Sequence, residues 1–120
     1  MQNTSHAVMA QRSEAKDSLD DFPTPPWATR GMLEHILPTH ELNEMTCLEP
    51  ACNRGFMSFV LQEYFRDVTS SDVFDYGYGV ERDFLSGDYA ENSFDWVITN
   101  PPFRLAEDFF HEAQRVAKRG

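Results

Sequence analysis

A chain of 120 residues with 41% hydrophobic and 13% aromatic content has enough apolar material for one small folded domain and too little length for two. Its formal net charge of −10 argues against a broad nucleic-acid footprint, while leaving room for a local basic site around Arg54, Arg104, Arg115, Lys118 and Arg119. No apolar run reaches the ~20 residues of a membrane span, the N-terminus has no apolar signal core, and Cys47, Cys52 and four scattered histidines lack zinc spacing. A soluble, cytoplasmic protein with reduced structural thiols and no metal is the expectation.

Residues 1–21, "MQNTSHAVMAQRSEAKDSLDD", carry few large apolar groups and read as a flexible N-terminal tail. In "FPTPPWATRGMLEHILP", Thr24 reads as a helix N-cap with Pro25 and Pro26 in the first turn. Ala28, Met32, Leu33, Ile36 and Leu37 follow at helical spacing until Pro38 stops the helix. "MTCLEP" at 45–50 reads as a short buried strand ended by Pro50. Residues 55–67 place Met57, Val60, Leu61, Tyr64 and Phe65 on one helical stripe.

"DVTSSD" at 67–72 is a weaker strand, and "FDYGYG" after it is a turn-rich loop. A third strand is expected within 80–84. "FDWVITN" at 94–100 is the clearest strand, bounded by Asn and Pro. Arg104 to Lys118 reads as an amphipathic helix with Leu105, Ala106, Phe109, Ala113 and Val116 inward, its basic end complementing the dipole. Strands alternating with helices point to a mostly parallel α/β sheet.

Two stretches stand out. "EPACNRGFM" (49–57) lies at the first strand-to-helix turn, where ligands sit in doubly wound sheets. There Gly55 permits a close backbone approach, Asn53 tolerates positive φ, and the helix start offers N–H groups to an anion. Asp72, ending the next strand, is placed for ribose hydroxyls. Alone, the turn also suits plain structure. "NPPF" (100–103) lies on the same rim. Pro101 and Pro102 stiffen the backbone, so the Asn100 side-chain oxygen and the Pro101 carbonyl can accept the two N–H groups of an exocyclic amine. Phe103 offers a flat face for a planar base or amide.

Together these residues resemble the S-adenosylmethionine-dependent amino-methyltransferases, most closely the γ-type DNA adenine-N6 methyltransferases. The family order of TPP, EPACxxG, an acidic ribose ligand, Asp-Phe and [ND]PP[YF] is met by Thr24–Pro26, Glu49–Gly55, Asp72, Asp83-Phe84 and Asn100–Phe103. The resemblance implies a Rossmann-like fold over residues 22–120, the N-terminal part of a catalytic domain of bacterial or phage type. It implies that Thr24, Glu49 and Ala51 line the methionine part of the cofactor, with Asn53 and Gly55 in the same turn. Asp72 takes the ribose, Asp83 the cofactor adenine amine, and Phe84 lies beside that ring. Asn100 and Pro101 would hold the target amine, with Phe103 stacked on the target base.

The implied acceptor is adenine N6 in DNA, flipped from the duplex. A glutamine side chain, an RNA base or cytosine N4 offers a similar planar amine, and a non-catalytic nucleotide-binding fragment is the alternative from another class. Family members continue past the position of Gly120, so the expected sheet is incomplete. The outer edge of the NPPF strand then needs an oligomer or a missing C-terminal part to cover it.

Overall fold

The computed structural model describes residues 24–35, 37 and 39–120. The tail over 1–21, Ile36 and the helix stop at Pro38 lie outside the described residues. Helix α1 covers Pro26–His35, a four-residue turn of helix α2 covers Thr39–Leu42, and strand β1 covers Thr46–Glu49. Helix α3 spans Phe56–Leu61, strand β2 Asp67–Asp72, strand β3 Val80–Glu81, strand β4 Trp96–Val97 and helix α4 Ala106–Val116. Short 3-10 turns at Phe84–Ser86 and Phe103–Leu105 complete the path.

The strands form one sheet in the order β3-β2-β1-β4, and all three pairings are parallel. Central strand β1 shows why both faces are covered. Successive strand residues point to opposite sides. Cys47 thus packs with Leu33, Leu42, Met45, Val60, Leu61, Phe65 and Ile98 on the face of α1 and α3. Leu48 packs with Ala51, Phe84, Tyr89, Phe109 and Val116 on the face of α4. Full burial of a side chain such as Leu48 is worth about 2 kcal/mol, and Pro50 then ends the strand. β2 repeats the alternation: the Ser70 hydroxyl donates to Ser58 of α3 (2.7 Å), while Ser71 accepts from the Tyr89 hydroxyl on the other face (3.0 Å).

Several expectations are corrected. Helix α3 is shorter than 55–67 because the amides of Glu63 and Tyr64 bond three residues back, to Val60 and Leu61, and wind the chain into turns. The 94–100 strand pairs with β1 only at Trp96 and Val97. Ala106 is exposed rather than inward, since it opens α4 after the 3-10 turn. Arg115 does more than complement the helix dipole: it donates to Glu112 and to the carbonyls of Gly87 and Tyr89, tying the 87–89 loop to α4.

The β4 edge is not left bare. The segment after α4 runs beside it, with a parallel bridge between Phe94 and Ala117. The amides of Lys118 and Arg119 donate to Phe94 and Asp95 (2.8 and 2.9 Å), and Val97 N donates to the Gly120 carbonyl (2.7 Å).

At the opposite end of β1 and β4 from the motifs, Asp95 joins the two strands. Its carboxylate accepts from the Thr46 amide (2.9 Å) and hydroxyl (3.3 Å), while its own amide donates to the Thr46 hydroxyl oxygen (3.1 Å). The Thr46 amide holds the Asp95 carboxyl below its ordinary value against partial burial, helped by the Thr46 hydroxyl, Lys118 and Arg119. A depressed folded value means that the stabilisation is complete above the unfolded value of about 3.9 and fades as pH falls through the folded value. The urea midpoint of the wild type should therefore exceed that of Asp95→Asn by a constant margin at neutral pH. That margin should shrink below about pH 4; a margin independent of pH would contradict the assignment.

Candidate functional site

The carboxyl ends of the strands gather the motif residues. Glu49 is the last residue of β1, Asp72 the last of β2, Asp83 follows β3 by two residues, and Thr99–Phe103 follow β4. Three hydrogen bonds join these segments. The Thr99 hydroxyl donates to Glu49 Oε2 at 2.6 Å. The Asn53 amide donates to Asp72 Oδ2 at 3.0 Å. Asn100 Nδ2 donates to Thr24 Oγ1 at 3.0 Å. The last of these spans 76 residues of sequence and draws the start of α1 to NPPF. Thr24 therefore serves Asn100, while the first turn of α1 is closed by bonds from Ala28 and Thr29 to the Pro25 carbonyl.

The EPACNRG turn is shaped from within. Glu49 Oε2 also accepts from the Ala51 amide (2.9 Å), which folds the chain sharply past Pro50. Cys52 N donates to the Ser71 carbonyl (2.9 Å), holding the turn against β2. Asn53 takes φ +50° and Gly55 φ +90°, the left-handed region that favours asparagine and glycine. The two cysteines are free thiols. Burial, with the Glu49 carboxylate nearby, pushes the Cys47 thiol far up, so it stays protonated and inert.

The close approach at Gly55 is made by a side chain of the fold. A Cβ there would sit 2.8 Å from the Tyr78 ring. Tyr78 also stacks at 5.1 Å on Phe59 and accepts from Gln62 Nε2 (3.0 Å). The short connection between β2 and β3 is thus anchored on α3 through one aromatic side chain. Neither the spacing nor the composition of "FDYGYG" signals that role.

The carboxylates are sealed: Glu49 is 2% exposed, Asp72 1% and Asp83 9%. Asp72 accepts from the amides of Asn53 and Phe74, and Asp83 caps the 84–86 turn through the Leu85 amide (3.0 Å). That turn swings Phe84 inward, 1% exposed, against Phe109 and Tyr89 at 5.2 and 6.2 Å. Phe84 is thus a core residue directly after the rim residue Asp83.

NPPF has an open side. Pro102, at φ −56° and ψ 135°, leads into the 3-10 turn, and its carbonyl accepts from Leu105 N (2.9 Å). Pro102 is buried, Pro101 half-buried and Asn100 exposed. A cleft of about 280 Å³ beside them is lined by Val97, Thr99, Pro101, Ala106, Phe109 and Phe110. Thr99 and Tyr78 are the positions that sequence reasoning missed. Thr99 was within reach of inference, because a hydroxyl beside the end of β4 is well placed to meet a carboxylate ending β1.

Among the described residues, no helix is long and apolar enough to cross a membrane. No protein-family model, curated protein or solved structure matches the chain.

Proposed function

We propose that this chain carries the cofactor and amine-binding half of an S-adenosylmethionine-dependent methyltransferase with a Rossmann-like fold, acting on an exocyclic amine, most simply adenine N6 in DNA. The observation that carries the reading is the convergence of Thr24, Glu49, Asp72, Asp83 and Asn100 at the carboxyl ends of a parallel sheet ordered 3-2-1-4. That order is one half of a doubly wound sheet plus its first strand beyond the switch, and ligands of such sheets bind on this rim.

The donor chemistry fits the cofactor. Three buried carboxylates at the ends of β1, β2 and β3 are acceptors only when ionised, and S-adenosylmethionine presents an α-amino group, a ribose diol and an adenine amine. Glu49 would take the amino group, beside Ala51; Asp72 would take the diol; Asp83 would take the adenine amine. The Asn53 and Phe74 amides orient Asp72. The cofactor supplies a methyl group already activated on a sulfonium.

The chain's own contribution is to hold and polarise the acceptor. Because Nδ2 of Asn100 is committed to Thr24, its Oδ1 is the atom that accepts from the incoming amine. The Pro101 carbonyl accepts the second N–H. Two acceptors on one nitrogen draw it toward sp³ geometry, expose its lone pair and offset the positive charge that develops on it. Pro101 and Pro102 fix these acceptors, so little orientation entropy is lost at the reaction step. Phe103 stacks on the base. The two buried free thiols suit a reducing cytoplasm.

The sealing of Glu49, Asp72 and Asp83, with Tyr78 against Gly55, favours a second reading, a non-catalytic binding domain. Incubation with methyl-labelled S-adenosylmethionine and unmethylated DNA separates the two. The expected result is label in N6-methyladenine. Saturable cofactor binding without label in DNA, RNA or protein would leave the non-catalytic reading standing.

A further inference from the structure

We propose that Trp27 forms a second aromatic wall opposite Phe103 and that the two bracket one unpaired base, an inference that rests on the amine-methylating reading above. Among the described residues, the two most exposed large apolar side chains are Phe103 at 81% and Trp27 at 76%. Single exposed apolar residues are ordinary. Both lie within three residues of one long-range hydrogen bond. Thr24 and Asn100 are joined at 3.0 Å, Trp27 lies three residues beyond Thr24 in the first turn of α1, and Phe103 lies three beyond Asn100.

Of the other exposed aromatics, Phe59 meets the Tyr78 ring at 5.1 Å, Phe110 lines the cleft beside α4, and Phe56 is less exposed, at 41%. Trp27 has no ring contact of that kind among the described residues. It is held out at the rim by a helix whose buried face is Thr29 and Leu33.

The chemistry selects the occupant. A base has two π-faces, and each aromatic surface stacks on one without regard to sequence. A glutamine amide is planar too but offers each ring far less π surface than a base. The pair therefore favours a base that is already unstacked, in single-stranded DNA or flipped from a duplex. Asn100 and Pro101 would then read its amine edge between the two walls.

The chain has two tryptophans, Trp27 and Trp96, so the full chain labelled with 5-fluorotryptophan gives two fluorine resonances, assigned by Trp27→Phe. It is titrated, with a saturating non-reactive cofactor analogue, against a thymine oligonucleotide carrying one adenine and against the same strand with an abasic site there. The expected result is a saturable shift of the Trp27 signal with the adenine strand only. Trp27→Ala should weaken that strand's binding about tenfold, Trp27→Phe by less, and neither should change S-adenosylmethionine affinity. Binding of the adenine strand with an unmoved Trp27 signal and unchanged Trp27→Ala affinity would overturn the proposal alone. Cofactor binding with no binding of the adenine strand would overturn it too, pointing to a different acceptor. A folded chain that binds no cofactor would overturn the reading beneath it as well.

Discussion

Replacing Asn100 with alanine is expected to lower methyl transfer at least about a hundredfold, the usual effect of deleting one preorganised charge-stabilising group, while S-adenosylmethionine affinity stays within about twofold. The reason is geometric. Asn100 is exposed, past the end of β4, and among the described residues its side chain hydrogen-bonds from Nδ2 to Thr24 Oγ1. Removing it costs little stability, because a water can replace the exposed partner on Thr24. It removes Oδ1, one of the two acceptors that in the proposed mechanism turn the target nitrogen toward the methyl donor. Asn100→Asp keeps an acceptor but loses the Nδ2 donor that fixes its orientation, so it should fall between alanine and wild type. Single-turnover rates, measured beside calorimetric cofactor affinities, check both variants. Equal loss of binding and rate would mean that Asn100 holds the cofactor corner together rather than the acceptor.

Glu49→Ala is expected to be the most destabilising single change at the site, by about 3 kcal/mol, a large share of the ~5–15 kcal/mol available to a small domain. Glu49 is buried, and one of its oxygens accepts from both the Ala51 amide and the Thr99 hydroxyl. Truncation leaves the buried Ala51 amide and the part-buried Thr99 hydroxyl without their acceptor and opens a cavity at the end of the central strand. It also cuts the tie between the EPACNRG turn and the segment leading into NPPF. Glu49→Gln preserves volume and one acceptor oxygen, so its urea midpoint should fall about half as far as that of the alanine variant. If Glu49 also holds the cofactor amino group, the glutamine variant should lose cofactor affinity out of proportion to its loss of stability. Stability changes under about 1 kcal/mol for the alanine variant would show that water already serves those donors.

Much of this fold was legible in the sequence because the signals are local. The extent of β2, Asp67–Asp72, follows from a strand-forming run closed by aspartates. Of the stripe Met57, Val60, Leu61, Tyr64 and Phe65, the middle pair and Phe65 are buried and Met57 and Tyr64 pack partly buried against them, although α3 ends at Leu61. The four-residue α2 was not readable, since four residues cannot display a helical period. β4 was over-read: an apolar run predicts burial, but the ladder also needs a partner, and β1 turns away at Pro50 after pairing Cys47 and Leu48 with Trp96 and Val97. The expected bare edge of β4 was wrong for a related reason, since the polar "AKRG" end carries backbone donors and acceptors that no hydropathy pattern reveals.

The site was legible in parts. Residue types and order indicated which segments meet on the rim. What they could not convey is long-range: that Thr99 donates to Glu49 across 50 residues, that Phe84 turns into the core, and that Tyr78 occupies the space beside Gly55. Each depends on where a loop returns, which is decided by tertiary packing rather than by spacing.

The proposed methyl transfer requires that the carboxyl ends of β1, β2 and β3 form a pocket for S-adenosylmethionine. Titration calorimetry of S-adenosylmethionine into the purified chain tests it most directly, with wild type and Asp72→Ala side by side and folding of both checked by circular dichroism. The account predicts saturable one-to-one binding to the wild type, weakened at least about tenfold by the substitution, the worth of a hydrogen bond to a charged group. A folded wild-type chain that gives no saturable heat, or equal binding by both proteins, would contradict it.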